Sequence, residues 1–376
     1  MTLIAIIITL LYLSLIGSLI YGFDKVPEFS LRDLKPKTKF SVVIPFRNEE
    51  TQLTALMESI SKLNYPKDLF EIVMVDDESD DESNNILDTY LLHKNSKIDI
   101  HVLKTIRKTK SPKKDALTLG ISHSKHDWIV TTDADCVLPP FWLDTFDEFI
   151  QRHQPEFVVA PVTYSRLDKF LYRFQLLDIL SLQGTTIGAF GIGKPMLCNG
   201  ANLTYTKNIF EAVHGFEGNT HIASGDDVFL LEKVTRQYPD KVKFLKCKQV
   251  LVTTSPQQSL DDLITQRVRW AAKTSSYSNW FGKLTGITVF LMNGGLMVFG
   301  LMALIGIIKL NIFLYLLIIK FGVDFLLIFK TTTFINQKEA MTSFPFAFLL
   351  YPFFIVYVVF ASVFKGYRWK GRDYIK

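Results

Sequence analysis

Three stretches of this chain, residues 2–23, 284–308 and 340–364, carry no charged residue, and they constrain its fold more than anything else in the sequence. Each is long enough to cross a bilayer as a helix, which takes roughly 20 apolar residues. A fourth apolar stretch, 310–329, is interrupted by Lys320 and Asp324. A multi-pass membrane protein with a polar middle is expected. The first stretch lacks a basic region ahead of it, exceeds the roughly 7–15-residue core of a signal peptide and shows no small-residue cleavage site, so it reads as a retained anchor. Lys25, Arg32, Lys35, Lys37 and Lys39 follow it and place the polar middle on the cytoplasmic side of the plasma membrane. The basic tail (Lys365, Arg368, Lys370, Arg372, Lys376) should lie there too, yet three full spans after residue 283 would carry it outside. Either the segment 310–329 does not fully cross, or Lys320 and Asp324, four apart on one helix face, pair against a neighbouring helix.

Three cysteines (Cys136, Cys198, Cys247) cannot all pair and show no metal-type spacing, which fits a reducing compartment. The net charge of +5 is modest, and no long basic stripe with interleaved aromatics occurs, so no nucleic-acid partner is expected. In the polar middle, apolar runs at Thr38–Pro45, Phe70–Val75, Ile98–Leu103 and Trp128–Thr132 alternate with helical patterns opening near Phe46, 82 and Lys113. That rhythm predicts an α/β fold with a parallel, doubly wound sheet, whose ligands bind beyond the carboxyl ends of the strands. Acidic clusters stand at those ends: Asp76-Asp77, and then Asp133-Ala134-Asp135. On extended backbone Asp133 and Asp135 would point the same way and could converge on Mg²⁺ or Mn²⁺, hard ions that prefer oxygen ligands. No Gly-rich phosphate loop is present. Residues 170–183 form an amphipathic stretch, read either as a core helix or as a helix in the membrane interface. Asn199, Gly200 and Asn202 could read hydroxyl groups, although a turn uses the same residues. Asp226-Asp227 stands at a helix start, where acids also serve as simple caps. Gln266-Arg267-Val268-Arg269-Trp270 immediately precedes the closing apolar segments.

Together these stretches resemble the membrane-anchored, inverting family 2 glycosyltransferases with their D, D-x-D, E/D-D and Q-x-x-R-W motifs, over roughly residues 38–270. The family's opening P-x-x-N-E-like element is matched by Pro45, Asn48 and Glu49. The resemblance implies a GT-A fold in which Asp76 and Asp77 hold the nucleoside of a nucleotide-sugar donor, expected to be UDP-linked. It implies a Mg²⁺ or Mn²⁺ site at Asp135 with Asp133, and Asp227 as general base. The family usually has Glu where this chain has Asp226, which leaves the accessory role of that residue open. Arg269 and Trp270, with Gln266, would close over the diphosphate, and Lys113 loosely matches a basic residue near the donor. The domains implied are an anchor (1–23), a donor-binding half (38–165), an acceptor-binding and membrane-interface half (166–283), transmembrane segments (284–364) and a basic tail (365–376).

Few spans favour a membrane lipid or polyprenyl-linked acceptor over a polysaccharide synthase acting repeatedly on a glycan. Two other classes compete. A nucleotidyltransferase would use the same carboxylates but leaves Gln266–Trp270 unexplained. A non-catalytic membrane scaffold with a transferase-like domain would show erosion at an acidic site, and none is eroded.

Overall fold

The computed structural model describes residues 1–93 and 98–374. The chain opens with helix α1 (Thr2–Lys25), then strand β1 (Phe40–Phe46), α2 (Leu53–Ser61), β2 (Phe70–Asp76), α3 (Ser83–His93), β3 (Asp99–Lys104) and α4 (Pro112–His123). Next come β4 (Trp128–Thr131), β5 (Cys136–Val137), α5 (Trp142–His153), β6 (Phe157–Val159), β7 (Val162–Tyr164) and the long helix α6 (Phe170–Gly191). They are followed by β8 (Leu203–Thr206), α7 (Lys207–Ala212), α8 (Asp226–Gln237), β9 (Val242–Phe244) and β10 (Val252–Thr254). The chain closes with α9 (Leu260–Ala272), α10 (Trp280–Leu304), α11 (Leu310–Ile335), α12 (Phe344–Phe364) and the hairpin β11 (Tyr367–Trp369) and β12 (Arg372–Tyr374). Lys376, part of the expected basic tail, falls outside the described residues. Two compact units emerge: residues 27–165 with 197–255, and residues 1–26, 166–196 and 256 onward.

The first unit is built on a seven-stranded sheet in the order β3-β2-β1-β4-β8-β6-β9. Strands β3, β2, β1 and β4 are mutually parallel, as the alternating pattern predicts, and β1 and β2 are buried almost throughout because they lie inside the sheet. The all-parallel expectation fails beyond β4. Strand β8 runs antiparallel to both β4 and β6. A helical crossover packed on the sheet is what enforces parallel pairing, and the chain reaches β8 from α6, a helix of the other unit. Strand β1 also runs through Pro45 to Phe46 instead of ending at the proline. Its pairing with β4 stops at Val43, so the missing N–H of Pro45 breaks no ladder bond on that side. Helix α2 begins at Leu53, not at Phe46, with Leu53, Leu56, Met57 and Ile60 buried against the sheet. Helix α4 lies close on β1 and β2 because Gly120 leaves no side chain where a methyl would meet Val43 at 2.5 Å.

Two buried acids of α5 fasten the segment leading into β1. Glu148 accepts from the backbone N–H groups of Arg32 (2.7 Å) and Leu34 (3.0 Å), and Asp147 accepts from Thr38 N–H at 2.9 Å. A third, Asp144, is pushed up to about 6, chiefly by burial and further by the neighbouring Asp147, Glu148 and Asp33 charges. A carboxyl raised in the folded state binds its proton there more tightly than in the unfolded chain. Its contribution is therefore favourable at low pH and is lost as the pH rises from about 4 to about 6. Because Asp144 is only half buried, solvent screening reduces the effect to about 1 kcal/mol. Asp144→Asn should thus stabilise the protein by that amount at pH 7 and leave it unchanged near pH 4. Thermal unfolding at the two pH values checks this.

The second unit contains α1, α10 and α11, and a segment comprising a 3₁₀ turn (Lys338–Ser343) and α12; all four are long and apolar enough to cross a membrane. Helix α6 is mostly buried and packs against α1 and α11. It therefore packs on candidate spans. The α1 and α6 backbones touch: a methyl on Gly22 would stand 2.1 Å from the Gly188 carbonyl oxygen, and one on Gly188 would stand 2.3 Å from that of Leu19. Small residues at a helix crossing allow this approach where no hydrophobic drive separates helix from lipid. Helix α11 is continuous through Lys320 and Asp324, which pair at 2.6 Å, and Tyr12 of α1 donates to Asp324 at 2.6 Å. The charges are thus answered by a neighbouring helix. Helix α12 meets α11 at Phe321 and Phe325 and α10 at Phe290, both near mid-helix, and its Val358 and Ala361 pack on Val268 of α9. The terminal hairpin lays Trp369 against Arg269, 4.9 Å from ring centre to guanidinium carbon. The hairpin thus packs on α9.

Candidate active site

The carboxyl ends of β1, β2 and β4 open onto three loops. Asp76, the last residue of β2, spends its carboxylate within its own loop, accepting from Ser79 N–H (2.8 Å) and the Asn84 amide (3.1 Å). That accounts for its burial. The loop after β1 is stitched to the same segment. Arg47 donates to the Asp77 and Glu78 carbonyls, the Asn48 side chain exchanges bonds with Asp80, and Glu49 N–H donates to Ser83 Oγ at 2.8 Å. Asn48 sits at φ 52°, a left-handed conformation that Asn tolerates better than most residues. The P-x-x-N-E-like element thus shapes the rim: Pro45 lies within β1, while Asn48 and Glu49 hold the loop after β2.

Asp133 and Asp135 do not stand on extended backbone. Strand β4 ends at Thr131, and Cys136 N–H donates to the Asp133 carbonyl (3.2 Å), closing a turn. The strand-alternation argument for their convergence therefore lapses, and the two carboxylates have different neighbours. Asp133 accepts from Lys113 Nζ at 2.6 Å, and Asp135 lies 3.5 Å from Cys136 Sγ. Burial, then Asp135 and Asp133, push that thiol up, so it stays protonated and donates. Cys136, Cys198 and Cys247 form no disulfide among the described residues.

Lys113, in the first turn of α4, is the point where the motifs meet. Its ammonium lies 2.6 Å from Asp133 and 3.6 Å from Asp226. Burial acts to push it down, but Asp133, Asp226 and Asp227 outweigh that and the net shift is upward, so it remains charged. Asp227 is held by two backbone donors, Val228 N–H at 2.8 Å and Gly200 N–H at 3.1 Å. The Gly200 carbonyl in turn accepts from Thr131 Oγ1 (2.7 Å). A methyl on Gly200 would stand 3.2 Å from Asp226 Oδ2, so only glycine lets this backbone approach the acid pair without displacement. Asn199 caps the turn by accepting from Ala201 N–H at 3.0 Å. Asn202, expected to read hydroxyls, does not: it is fully buried, donates to the Pro161 and Val250 carbonyls, and accepts from Trp142 Nε1. Its amide is consumed in joining β6, the β10 approach and α5.

Two residues that the sequence reading passed over support this arrangement. Buried Lys114 donates to the carbonyls of Asn219 (2.7 Å) and Ile222 (2.9 Å), and Ser111 Oγ donates to that of Ala223. The start of α4 thereby grips the segment that delivers Asp226 and Asp227. The adjacent Lys113-Lys114 pair at a helix start was the available signal. At the opposite, amino end of the sheet, ligating atoms of Glu71, Asp99 and His101 lie within 4.8 Å of one another. There Lys125 already pairs with Asp99 at 2.5 Å, and Glu71 accepts from Ser41 Oγ at 2.6 Å. This knot closes the far edge of the sheet from the Lys113 cluster.

Gln266, Arg269 and Trp270 lie on α9, in the other unit. Within it the dominant interaction belongs to a residue the motif does not name. Buried Arg267 pairs with Asp178 of α6 at 2.6 Å, lies over the Trp270 ring at 4.2 Å and donates to Gln266. Tyr351 of α12 donates to the same Asp178 at 3.2 Å.

Residues 41–213 match the Glycosyl transferase family 2 profile. An undecaprenyl-phosphate 4-deoxy-4-formamido-L-arabinose transferase of Salmonella enteritidis is 31% identical over 169 residues, 42% of this chain and 47% of that protein. TarS of Staphylococcus aureus, a poly(ribitol-phosphate) beta-N-acetylglucosaminyltransferase, is 28% identical over 118 residues, 31% of this chain and 20% of its own. The chain thus spans half or less of the curated relatives it matches. Among solved structures, mannosyltransferase PcManGT from Pyrobaculum calidifontis aligns over 92% of this chain and 99% of its own, with TM-score 0.57 and 15% identity. It shares the fold. The mixed sheet, with its acid-bearing loops at the carboxyl ends of β2 and β4, is that of a GT-A domain, and within it residues 41–213 form a domain of the glycosyltransferase family 2 type.

Proposed function

We propose that the protein transfers one sugar from a nucleotide-diphospho-sugar to a membrane lipid or polyprenyl-linked acceptor, with inversion at the anomeric carbon. The observation that carries this reading is the cluster of Lys113, Asp133 and Asp226 beside the backbone-clamped Asp227. In it, Asp77 and the rim formed by Pro45, Asn48 and Glu49 face the nucleoside. Asp227 takes the proton of the acceptor hydroxyl as that oxygen bonds to the anomeric carbon. The bond from that carbon to the diphosphate oxygen breaks, and the diphosphate leaves with its electron pair. Asn199 and Gly200 border the acceptor side. Gln266, Arg269 and Trp270 enter the reading through their motif.

The donor set suits a divalent cation. Asp133 and Asp135 offer only hard oxygens, and the chain's own ammonium already stands against Asp133, so the site is built to hold positive charge. Both residues would hold Mg²⁺ or Mn²⁺, which when bound supplies Lewis-acid stabilisation to the leaving diphosphate. PcManGT, whose structure contains GDP-Man and Mn²⁺, supports the ligand class. The lipid acceptor is supported by four membrane-capable helices and by the undecaprenyl-phosphate transferase relative. The partial match to TarS favours a second reading, in which a glycan polymer is the acceptor. The basic residues after α1 support a transferase domain on the cytoplasmic face of the plasma membrane.

Equilibrium binding of a panel of UDP- and GDP-sugars to the purified protein and to inside-out vesicles tests the proposal. One nucleotide-sugar should bind both preparations, with affinity lost on chelation and in Asp135→Ala. Metal-independent binding would remove Asp133 and Asp135 from the ligand set, and binding only after vesicle permeabilisation would reverse the orientation.

A further inference from the structure

Lys113 does more than the general attraction of a basic residue to a diphosphate requires. Its Nζ lies 2.6 Å from Asp133 and 3.6 Å from Asp226, and a methyl on Gly200 would be 3.8 Å away from it. One ammonium therefore neutralises the first carboxylate of the D-x-D turn and the first of the Asp226-Asp227 pair together.

We propose that Lys113 is a built-in competitor of the metal: it holds Asp133 and Asp226 together and yields Asp133 to the divalent ion when the donor arrives. This rests on the functional reading above, in which Asp133 and Asp135 hold the metal. An ammonium and a divalent ion cannot both sit against one carboxylate oxygen without strong repulsion, so Lys113 opposes metal loading as long as no diphosphate is present to receive it. The arriving diphosphate offers that alternative partner. Metal and donor then load together, and the cleft is protected from filling with a cation alone. Lys113 is in this sense a positioning residue that sets the threshold for metal binding.

The test is equilibrium Mn²⁺ binding to the full-length protein in detergent, read from the electron paramagnetic resonance signal of free Mn²⁺, with and without UDP. Wild type should bind Mn²⁺ weakly alone and markedly better with UDP. Lys113→Met should bind Mn²⁺ alone roughly tenfold tighter or more, because the competing charge is gone. Lys113→Arg, which keeps the charge, should stay within about threefold of wild type, which separates charge from packing. Equal or weaker Mn²⁺ affinity in Lys113→Met, in a protein whose UDP-dependent Mn²⁺ binding is intact in wild type, would overturn this inference alone. Absence of Mn²⁺ binding to wild type under every condition would overturn both it and the metal site beneath it.

Discussion

Replacing Asp227 with Asn should lower the turnover of sugar transfer by about 10²–10⁴-fold, equivalent to about 3–5 kcal/mol of barrier, and leave donor affinity largely unchanged. The split follows from the way the side chain is held. Asp227 receives two backbone N–H groups and stands beside Gly200, so its position is fixed by main chain. The Asn amide keeps the shape and can still accept one of those bonds, but it cannot take a proton from an acceptor hydroxyl. Donor binding is assigned to other residues, so it should survive. Steady-state kinetics with donor and acceptor varied separately, alongside donor affinity, checks this. A variant that loses donor binding in parallel would make Asp227 a structural residue, and one that keeps turnover would move the base elsewhere.

Replacing Arg267 with Ala should destabilise the protein by about 3–5 kcal/mol, because it strands the buried Asp178 carboxylate. Arg267 and Asp178 are each only 6% exposed and meet at 2.6 Å. Among the described residues, Tyr351 would remain to answer the charge. The contact joins α6, α9 and α12, elements remote in sequence, so its loss should loosen all three. Pairing Arg267→Met with Asp178→Leu should recover most of the loss, since no unpaired charge is then left behind. Thermal unfolding of the single and double variants in the same detergent decides the matter. A single variant within about 1 kcal/mol of wild type would mean that water reaches Asp178.

What could be seen in advance depended on how local the cause was. The β-branched runs at β1 and β2 and the acids after β2 and β4 declare themselves, because buried parallel strands are continuously apolar and their carboxyl ends carry ligand groups. The apolar helices were equally visible, since a bilayer imposes a length. The failures came where distant residues decide. Asn202 reads as a polar recognition residue until Pro161, Val250 and Trp142 close around it. The turn at Asp133–Cys136 replaces the extended backbone because β4 stops at Thr131, a limit that no local pattern marks. The antiparallel course of β8 depends on where the chain returns after α6. Asp178 stands in a largely apolar helix, but its partner Arg267 lies 89 positions away, and no local pattern names that partner.

The measurement that bears most directly on the central claim is the mass of the product formed by the purified protein from a nucleotide-sugar, Mn²⁺ and a membrane lipid extract, with Asp227→Asn as the control. A lipid heavier by a single sugar residue is expected, formed by wild type, absent on chelation and absent from the Asp227→Asn reaction. A ladder of increments would replace single transfer to a lipid with repeated transfer to a glycan. No product from any donor, in a folded protein that binds none of them, would contradict the account and leave a membrane protein that keeps the transferase fold without its chemistry.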